Sequence, residues 1–218
     1  MKTNQQLKNA ALDRLRGNWA PGVLATLIYC IITVVFVGTV YVPMYFPMSY
    51  SSRLGLTGCF YLASFFLVNP LSVGIMNAFR LLFERRDDRV AGNMFYLAFS
   101  KYWHKVGGMF LMGLKVFLWT LLFIIPGFIM AFAYAMTPFI LDEHPEIGVW
   151  EASTRSREMM RGHKFDYFWL MLSFIGWYIL CILTLGIGFL WLTPYMQTTA
   201  AAFYNELKAE QGEDAVTE

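Results

Sequence analysis

The sequence predicts an all-α polytopic membrane protein with six transmembrane helices, arranged as three hairpins with amphipathic interfacial helices between them. Composition is the first observation, because 57% of the 218 residues are hydrophobic and 15% are charged, which is too apolar for an ordinary soluble domain. Charge placement is the second. Fifteen of the seventeen Lys and Arg residues lie in the C-terminal tail or in the stretches 1–19, 80–105 and 142–164. Long apolar segments separate these stretches, as the positive-inside bias predicts.

Several other classes of protein are excluded by the same composition. A net charge of +2 is too small for a nucleic-acid binder. Cys30, Cys59 and Cys181 all lie in apolar segments and show neither CxxC nor Cys/His spacing. We therefore expect no zinc site, no disulfide framework and no cofactor.

The N-terminal segment combines basic and apolar residues, which raises the question of a signal peptide. The apolar run 21–42 has about 22 residues, longer than the roughly 7–15 of a signal peptide's apolar region, and no small-x-small cleavage site follows. Leu7, Ala11 and Leu15 alternate with basic residues. We expect a retained amphipathic helix that lies on the membrane surface.

The apolar segments define the predicted domain. A transmembrane helix needs roughly 20 apolar residues. We predict a single transmembrane helical domain over 1–205, followed by an acidic, disordered tail over 206–218. The spans are predicted at about 21–42, 57–82, 106–125, 127–141, 165–183 and 187–205.

Turns and interfacial segments separate these spans. An aromatic, polar loop that contains Arg53 is expected over 41–57, and helices on the membrane surface over 93–103 and 145–163. Pro126-Gly127 lies near the middle of 106–141 and predicts a tight hairpin there. The alternative is a re-entrant loop that does not reach the far side. Six spans place both termini and both basic loops on one side, which we expect to be cytoplasmic.

The chain also shows a weak threefold repeat of surface helix, basic and aromatic junction, helix, turn and helix. The second helix of each unit contains Asn69-Pro70, Thr137-Pro138 or Thr193-Pro194. This recurrence favours three related hairpins. Chance recurrence in a sequence rich in Phe, Pro and Ala is the alternative.

A set of motifs in the C-terminal half resembles a known family. The residues that carry the resemblance are 125–145 (IPGFIMAFAYAMTPFILDEHP), 151–164 (EASTRSREMMRGHK), 174–177 (FIGW), 185–188 (LGIG), 193–195 (TPY) and 202–204 (AFY). They closely resemble the bacterial integral-membrane family called domain-of-unknown-function family 975, most strongly from Trp119 to Tyr204. The resemblance implies a fold and an inner-membrane location but no activity. Ser156-Arg157, Met160 and Gly162 are distantly similar to a motif in the membrane domain of glycerophosphodiester phosphodiesterases, whose catalytic domain this chain does not carry.

Three polar residues form a candidate intramembrane site. Lys115 is the ionisable residue deepest in a predicted span, and it either contacts an anion within the bundle or extends to the cytoplasmic interface. Asn69 and Asn77 lie with Pro70 and Gly74 along the second span. This strip either lines a substrate path or packs against neighbouring helices.

Basic residues next to the spans are candidates for contact with anionic lipid headgroups, or they serve only to set the topology. These candidates are Arg85, Arg86, Arg89, Arg155, Arg157, Arg161 and Lys164. Acidic residues near His144, including Asp142 and Glu143, are spaced around a helix rather than toward one metal ion, so we interpret them as the start of a surface helix at Pro145.

No nucleophile motif, phosphate-binding loop or paired His/Cys site occurs in the sequence. We therefore predict no catalytic residues, and a non-enzymatic role in the transport, sensing or regulation of a small or lipidic molecule. The expected partners are membrane lipids with anionic headgroups. The alternative is a structural or assembly partner that binds another membrane protein through its basic amphipathic helices. A membrane-embedded enzyme is the third hypothesis, and it would need facing ionisable side chains in a polar cavity.

Overall fold

The computed structural model of the chain describes residues 2–85, 87–122 and 124–212. Every regular element in these ranges is a helix, which confirms the all-α prediction. A 3₁₀ turn at Val42–Tyr45 precedes the third helix. The α-helices are α1 (Asn4–Leu15), α2 (Trp19–Thr39), α3 (Tyr50–Arg85), α4 (Val90–Phe99), α5 (Tyr102–Leu122), α6 (Ile124–Ala133), α7 (Thr137–Glu143), α8 (Val149–Met159), α9 (Lys164–Leu172), α10 (Ile175–Leu183) and α11 (Phe189–Glu210).

Three helical segments of the described chain are long and apolar enough to cross a membrane. They are Trp19–Thr39, Tyr50–Arg85 and Lys164–Leu183, the last of which comprises α9, a short break and α10. Large apolar side chains such as Val34 and Ile182 are exposed on their outer faces. Such faces are stable where lipid replaces water, so these helices are compatible with a membrane protein.

The second predicted hairpin is built differently from the prediction. Helix α5 ends at Leu122 and α6 begins at Ile124, so Pro126-Gly127 lies in the first turn of α6 rather than at the turn between helices. Proline is tolerated there because the first N–H groups of a helix have no intrahelical partner. A Cβ on Gly127 would overlap Thr120 of α5. The glycine therefore permits close helix approach, and the predicted turn position is wrong.

The predicted span 127–141 is two helices, α6 and α7, with a break over 134–136. Ser156 of α8 fills this break. Its hydroxyl donates to the Ala133 carbonyl oxygen at 3.0 Å and accepts from the Met136 N–H at 3.2 Å. The backbone groups at the break thus find their hydrogen-bond partner on a neighbouring helix, as buried backbone groups require.

The ends of two other elements also differ from the prediction. Helix α3 begins at Tyr50, within the predicted loop 41–57. The predicted disordered tail is wrong over 206–210, which form the last turn of α11. Glu206 in this turn pairs with Lys2 at 2.7 Å and ties the end of α11 to the N-terminus. The tail residues 213–218 lie outside the described residues.

The amphipathic helices α1 and α4 each pack one face against other helices of the chain. Helix α1 buries Leu7, Ala11 and Leu15, and it contacts α11. Helix α4 buries Met94 and Ala98 against α3, where a Cβ on Gly74 would overlap the Met94 carbonyl oxygen. The protein itself thus covers one apolar face of each helix, while Tyr96 and Phe99 on the other side of α4 stay exposed. The predicted location of these helices on the membrane surface stays a prediction.

Candidate functional site

A buried guanidinium joins two helices at one end of the bundle. Arg80 of α3 is 6% exposed. Its Nη2 donates to Oδ2 of Asp142 in α7 at 3.1 Å, and its Nη1 lies 3.3 Å from Glu84 Oε2. Its Nε donates to Oδ1 of Asn77 at 3.0 Å. The four residues place one cation between two carboxylates and an amide.

Two lysines extend this arrangement to α5 and α11. Lys105 is 2% exposed, and its Nζ donates to Asp142 Oδ1 at 2.6 Å and to the carbonyl oxygen of Leu97 at the end of α4. Glu143 accepts from Lys208 Nζ at 2.6 Å and from the Tyr204 hydroxyl at 2.6 Å. We call Arg80, Glu84, Lys105, Asp142, Glu143 and Lys208 the charge cluster.

Three cations and three carboxylates make the charge cluster neutral overall. Asp142 and Glu143 end α7, where the helix dipole disfavours negative charge. Arg80, Lys105 and Lys208 offset this cost through charge-assisted hydrogen bonds. Buried ion pairs of this kind contribute little net stability against an apolar replacement, but removal of one partner is costly. The cluster therefore acts as a clamp between α3, α5, α7 and α11.

The pKa of Glu143 reflects these contacts. Burial alone would raise the pKa of this carboxyl group, but the hydrogen bonds from Lys208 and Tyr204, with the nearby charge of Arg80, lower the pKa below its ordinary value. Glu143 is therefore held as a carboxylate, and it is not available as a general acid near neutral pH.

This cluster is not apparent from the sequence alone. Asp142 and Glu143 do not start a surface helix at Pro145, since they end α7 and α8 begins at Val149. The spacing of Asn77, Arg80 and Glu84 along one helix face was a usable local signal. The pairing with α5, α7 and α11 depends on the tertiary fold and has no local signal.

Lys115, Asn69 and Asn77, the residues of the predicted intramembrane polar site, bind different partners. Asn77 is fully buried, and its Nδ2 donates to the Val73 and Pro138 carbonyl oxygens at 3.0 and 2.9 Å. Asn69 Nδ2 donates to the Phe65 carbonyl oxygen of its own helix at 3.0 Å. The two asparagines thus satisfy backbone carbonyl groups.

Lys115 has a separate set of partners on α8. Its Nζ donates to the Ser153 hydroxyl at 2.6 Å and lies 3.6 Å from the centre of the Trp150 ring. A hydroxyl group and an aromatic face both stabilise an ammonium group. Lys115 therefore helps to hold α8 against α5, and these contacts are with other groups than those that Asn69 and Asn77 bind.

Pro70 leaves the Phe66 carbonyl oxygen without its helical donor, because proline has no N–H. The Tyr102 hydroxyl at the start of α5 donates to this oxygen at 2.6 Å. The carbonyl group that proline frees is thus satisfied by a neighbouring helix.

The predicted lipid-contact residues lie in three places. Arg85 and Arg89 are exposed on either side of the connection between α3 and α4, and Arg89 lies 3.4 Å from Asp87. Arg86 lies outside the described residues. Arg155 and Arg157 belong to α8, half-buried and exposed respectively. Arg161 and Lys164 lie at the start of α9.

An open groove runs between α6 and α9, and we call it the α6–α9 groove. Its volume is about 460 Å³, within the range of about 300–1,000 Å³ typical of ligand sites. Its lining consists of apolar side chains and two basic ones: Phe128, Ile129, Phe132, Phe165 and Phe168, with Arg161 and Lys164 beside Gly162. This groove can hold an apolar chain and an anion together.

Comparison with known proteins gives one match. Residues 121–211 match a family described as "Protein of unknown function (DUF975)". The matched segment includes the whole α6–α9 groove, together with Asp142, Glu143 and Lys208 of the charge cluster. No curated protein and no solved structure matches the chain. The weaker resemblance to glycerophosphodiester phosphodiesterases has no support in these comparisons.

Proposed function

We propose that this chain, which belongs to the DUF975 family of unknown function, is a non-enzymatic protein of the bacterial cytoplasmic membrane that transports, senses or regulates a lipidic molecule. The observation that carries this proposal is a contrast in polarity. Charged side chains that meet between the helices are paired with one another, whereas the α6–α9 groove is open and mainly apolar. An apolar groove on a membrane-facing surface favours a lipidic ligand over a small polar solute.

We further propose six passes, formed by α2, α3, α5, α6 with α7 as far as Leu141, α9 with α10, and α11. Asp142 and Glu143 lie beyond the membrane-spanning segment in this arrangement, and both termini are in the cytoplasm. Two contacts support this topology. Lys2 pairs with Glu206, so the two ends of the chain meet. Helices α3, α7 and α11 all direct their C-terminal ends to the charge cluster.

Cysteine labelling tests the topology. In a variant with Cys30, Cys59 and Cys181 replaced by serine, a membrane-impermeant maleimide should label Ser49→Cys in intact cells. It should label Asp88→Cys only after the membrane is permeabilised. Labelling of both positions from one side would mean that α3 does not cross the membrane.

A photoreactive lipid tests the function. A phospholipid with a diazirine in its acyl chain, activated in membranes that contain the full chain, should label peptides from α6 and α9 above the level for the apolar faces of α2 and α10. Those faces expose comparable apolar side chains and serve as the internal control. Uniform labelling of all outer faces would contradict a specific lipid site.

The alternative of an assembly partner is less well supported, because it needs free apolar faces on the amphipathic helices. Helices α1, α4 and α8 bury those faces within the chain, at residues such as Leu15, Met94 and Met159. The outer sides of α1 and α8 are mainly polar apart from Trp150, whereas α4 exposes Tyr96 and Phe99. The apolar area that these helices leave for another membrane protein is therefore small and centred on α4.

A further inference from the structure

We propose that the α6–α9 groove binds one acyl chain of an anionic phospholipid, with the lipid phosphate between Arg161 and Lys164. This inference rests on the proposed lipid-handling function. It adds the site, the charge of the ligand and the residues that select it.

The walls of the groove suit an extended hydrocarbon chain. Phe128 and Phe132 are four residues apart on α6 and share one face of that helix. Phe132 contacts Phe168 of α9, with ring centres 5.8 Å apart, and this pair joins the two helices. Phe128 is 65% exposed and Phe165 is 75% exposed. An acyl chain between these rings would remove apolar surface from exposure without disturbing the buried core.

The two cations come from one turn of the chain. Gly162 has a φ of +92°, a conformation that favours glycine, and it lies in the turn that connects α8 to α9. Arg161 and Lys164 therefore both lie where α9 begins. Within the described part of the chain, neither side chain pairs with a carboxylate.

Two nearby carboxylates, those of Asp166 and Glu210, are engaged elsewhere. Asp166 Oδ2 lies 3.3 Å from His163 Nδ1, and Glu210 Oε2 lies 3.3 Å from His163 Nε2. Among the described residues, the guanidinium and ammonium groups at the end of the groove have no carboxylate partner, so an external anion can bind there. Arginine and lysine are the residues that bind phosphate oxygens most strongly.

A second groove provides a contrast within the same molecule. It has a volume of about 640 Å³ between α3 and α5, and its described lining, which includes Phe65, Trp103 and Phe110, has no charged side chain. This groove can accept an acyl chain but cannot select the charge of the headgroup. Of these two grooves, the α6–α9 groove alone combines an apolar wall with two basic side chains in its described lining.

The test is a titration of the full chain in mild detergent with phosphatidylglycerol or phosphatidylcholine, followed by native mass spectrometry. We expect the wild-type chain to prefer phosphatidylglycerol. R161Q/K164Q should lower phosphatidylglycerol affinity about 10- to 30-fold, from roughly a fivefold contribution per cation, and should leave phosphatidylcholine binding unchanged. Ile129→Trp fills the groove and should weaken the binding of both lipids.

The matched control is R14Q/R16Q, which removes the same net charge. Arg16 precedes Gly17, which has a φ of +83°, just as Arg161 precedes Gly162, but it pairs with Asp13 at 3.5 Å and lies outside the groove. Equal loss of phosphatidylglycerol in both double variants would overturn the proposal. Competition by glycerol 3-phosphate as strong as that by the intact lipid would also overturn it.

The experiment distinguishes a wrong headgroup site from a wrong lipid-handling function. If the wild-type chain prefers phosphatidylglycerol and R161Q/K164Q retains that preference, the headgroup site is wrong while the lipid-handling function stands. If the wild-type chain retains neither lipid, both are wrong.

Discussion

The charge cluster and the α6–α9 groove use the same kinds of residue in opposite ways. In the charge cluster, Arg80 and Lys105 are almost fully buried and bind Asp142 of their own chain. In the groove, Arg161 is exposed and Lys164 is half-buried, and neither pairs with a carboxylate among the described residues. A paired cation clamps helices together, whereas an unpaired cation beside an apolar wall is suited to a ligand. Under our proposal, pairing rather than residue type separates the basic residues that hold the helices together from those that bind the ligand.

The largest effect is expected from the centre of the charge cluster. Arg80→Ala leaves Asp142, Glu84 and Glu143 with fewer cations to balance their buried charge. Loss of one partner from a buried ion pair costs about 3–5 kcal/mol. We expect a decrease of that size in the free energy of unfolding, measured by titration with SDS in mild detergent.

Arg85→Ala is the matched control, because Arg85 is an exposed arginine at the end of the same helix. It should change the free energy of unfolding by less than about 0.5 kcal/mol. Similar losses in Arg80→Ala and Arg85→Ala would mean that the cluster is not a clamp.

A smaller loss is expected where α4 meets α3. A Cβ at Gly74 would overlap the Met94 carbonyl oxygen, while a Cβ at Gly58 of the same helix would meet open space. Gly74→Ala should therefore lower the free energy of unfolding by about 1–3 kcal/mol. Gly58→Ala should leave it unchanged or raise it slightly, and a larger loss at Gly58 would contradict the close α3–α4 contact.

Low pH should destabilise the folded chain because Glu143 of the charge cluster becomes protonated. The folded state lowers the pKa of this group, so its stabilising contribution is present above the ordinary pKa of 4.5 and is lost as the pH falls through the lower, folded-state value. Between pH 7 and about pH 5, Glu143 should cause no change in the midpoint temperature of unfolding. At pH values below about 4.5, its protonation should lower that midpoint. Glu143→Gln should make the decrease of the midpoint temperature in acid smaller. An equal decrease in the variant and the wild-type chain would mean that other carboxylates cause it.

The smallest effect on stability is expected at the groove. Arg161→Gln and Lys164→Gln remove no ion pair from the described chain, so each should change the free energy of unfolding by less than about 0.5 kcal/mol. A loss as large as that of Arg80→Ala would show that these cations are structural, and the contrast between the two regions would disappear.

The helices were predictable because their signal is local. Apolar length predicted α2, and the Gly-rich sequence at 185–188 predicted the turn before α11. The turn at Pro126-Gly127 was predicted wrongly because proline suits both a turn and the first turn of a helix.

The candidate site was only partly predictable. Arg161 and Lys164 were identified as basic residues beside a span, but their position beside Phe132 depends on how α6 meets α9. The charge cluster joins residues up to 65 positions apart, such as Glu143 and Lys208. A single sequence carries no local pattern for such pairs, and Asp142 was therefore assigned to the wrong helix.

We propose that the chain recognises an anionic lipid in the α6–α9 groove while the charge cluster holds the bundle together. Thermal unfolding of the wild-type chain and R161Q/K164Q, each with and without phosphatidylglycerol, tests both halves at once. A ligand that binds the folded state raises the unfolding midpoint. We predict equal midpoints without lipid, and a rise with phosphatidylglycerol in the wild-type chain that R161Q/K164Q lacks. An equal rise in both proteins, or a lower lipid-free midpoint in the variant, would contradict the claim.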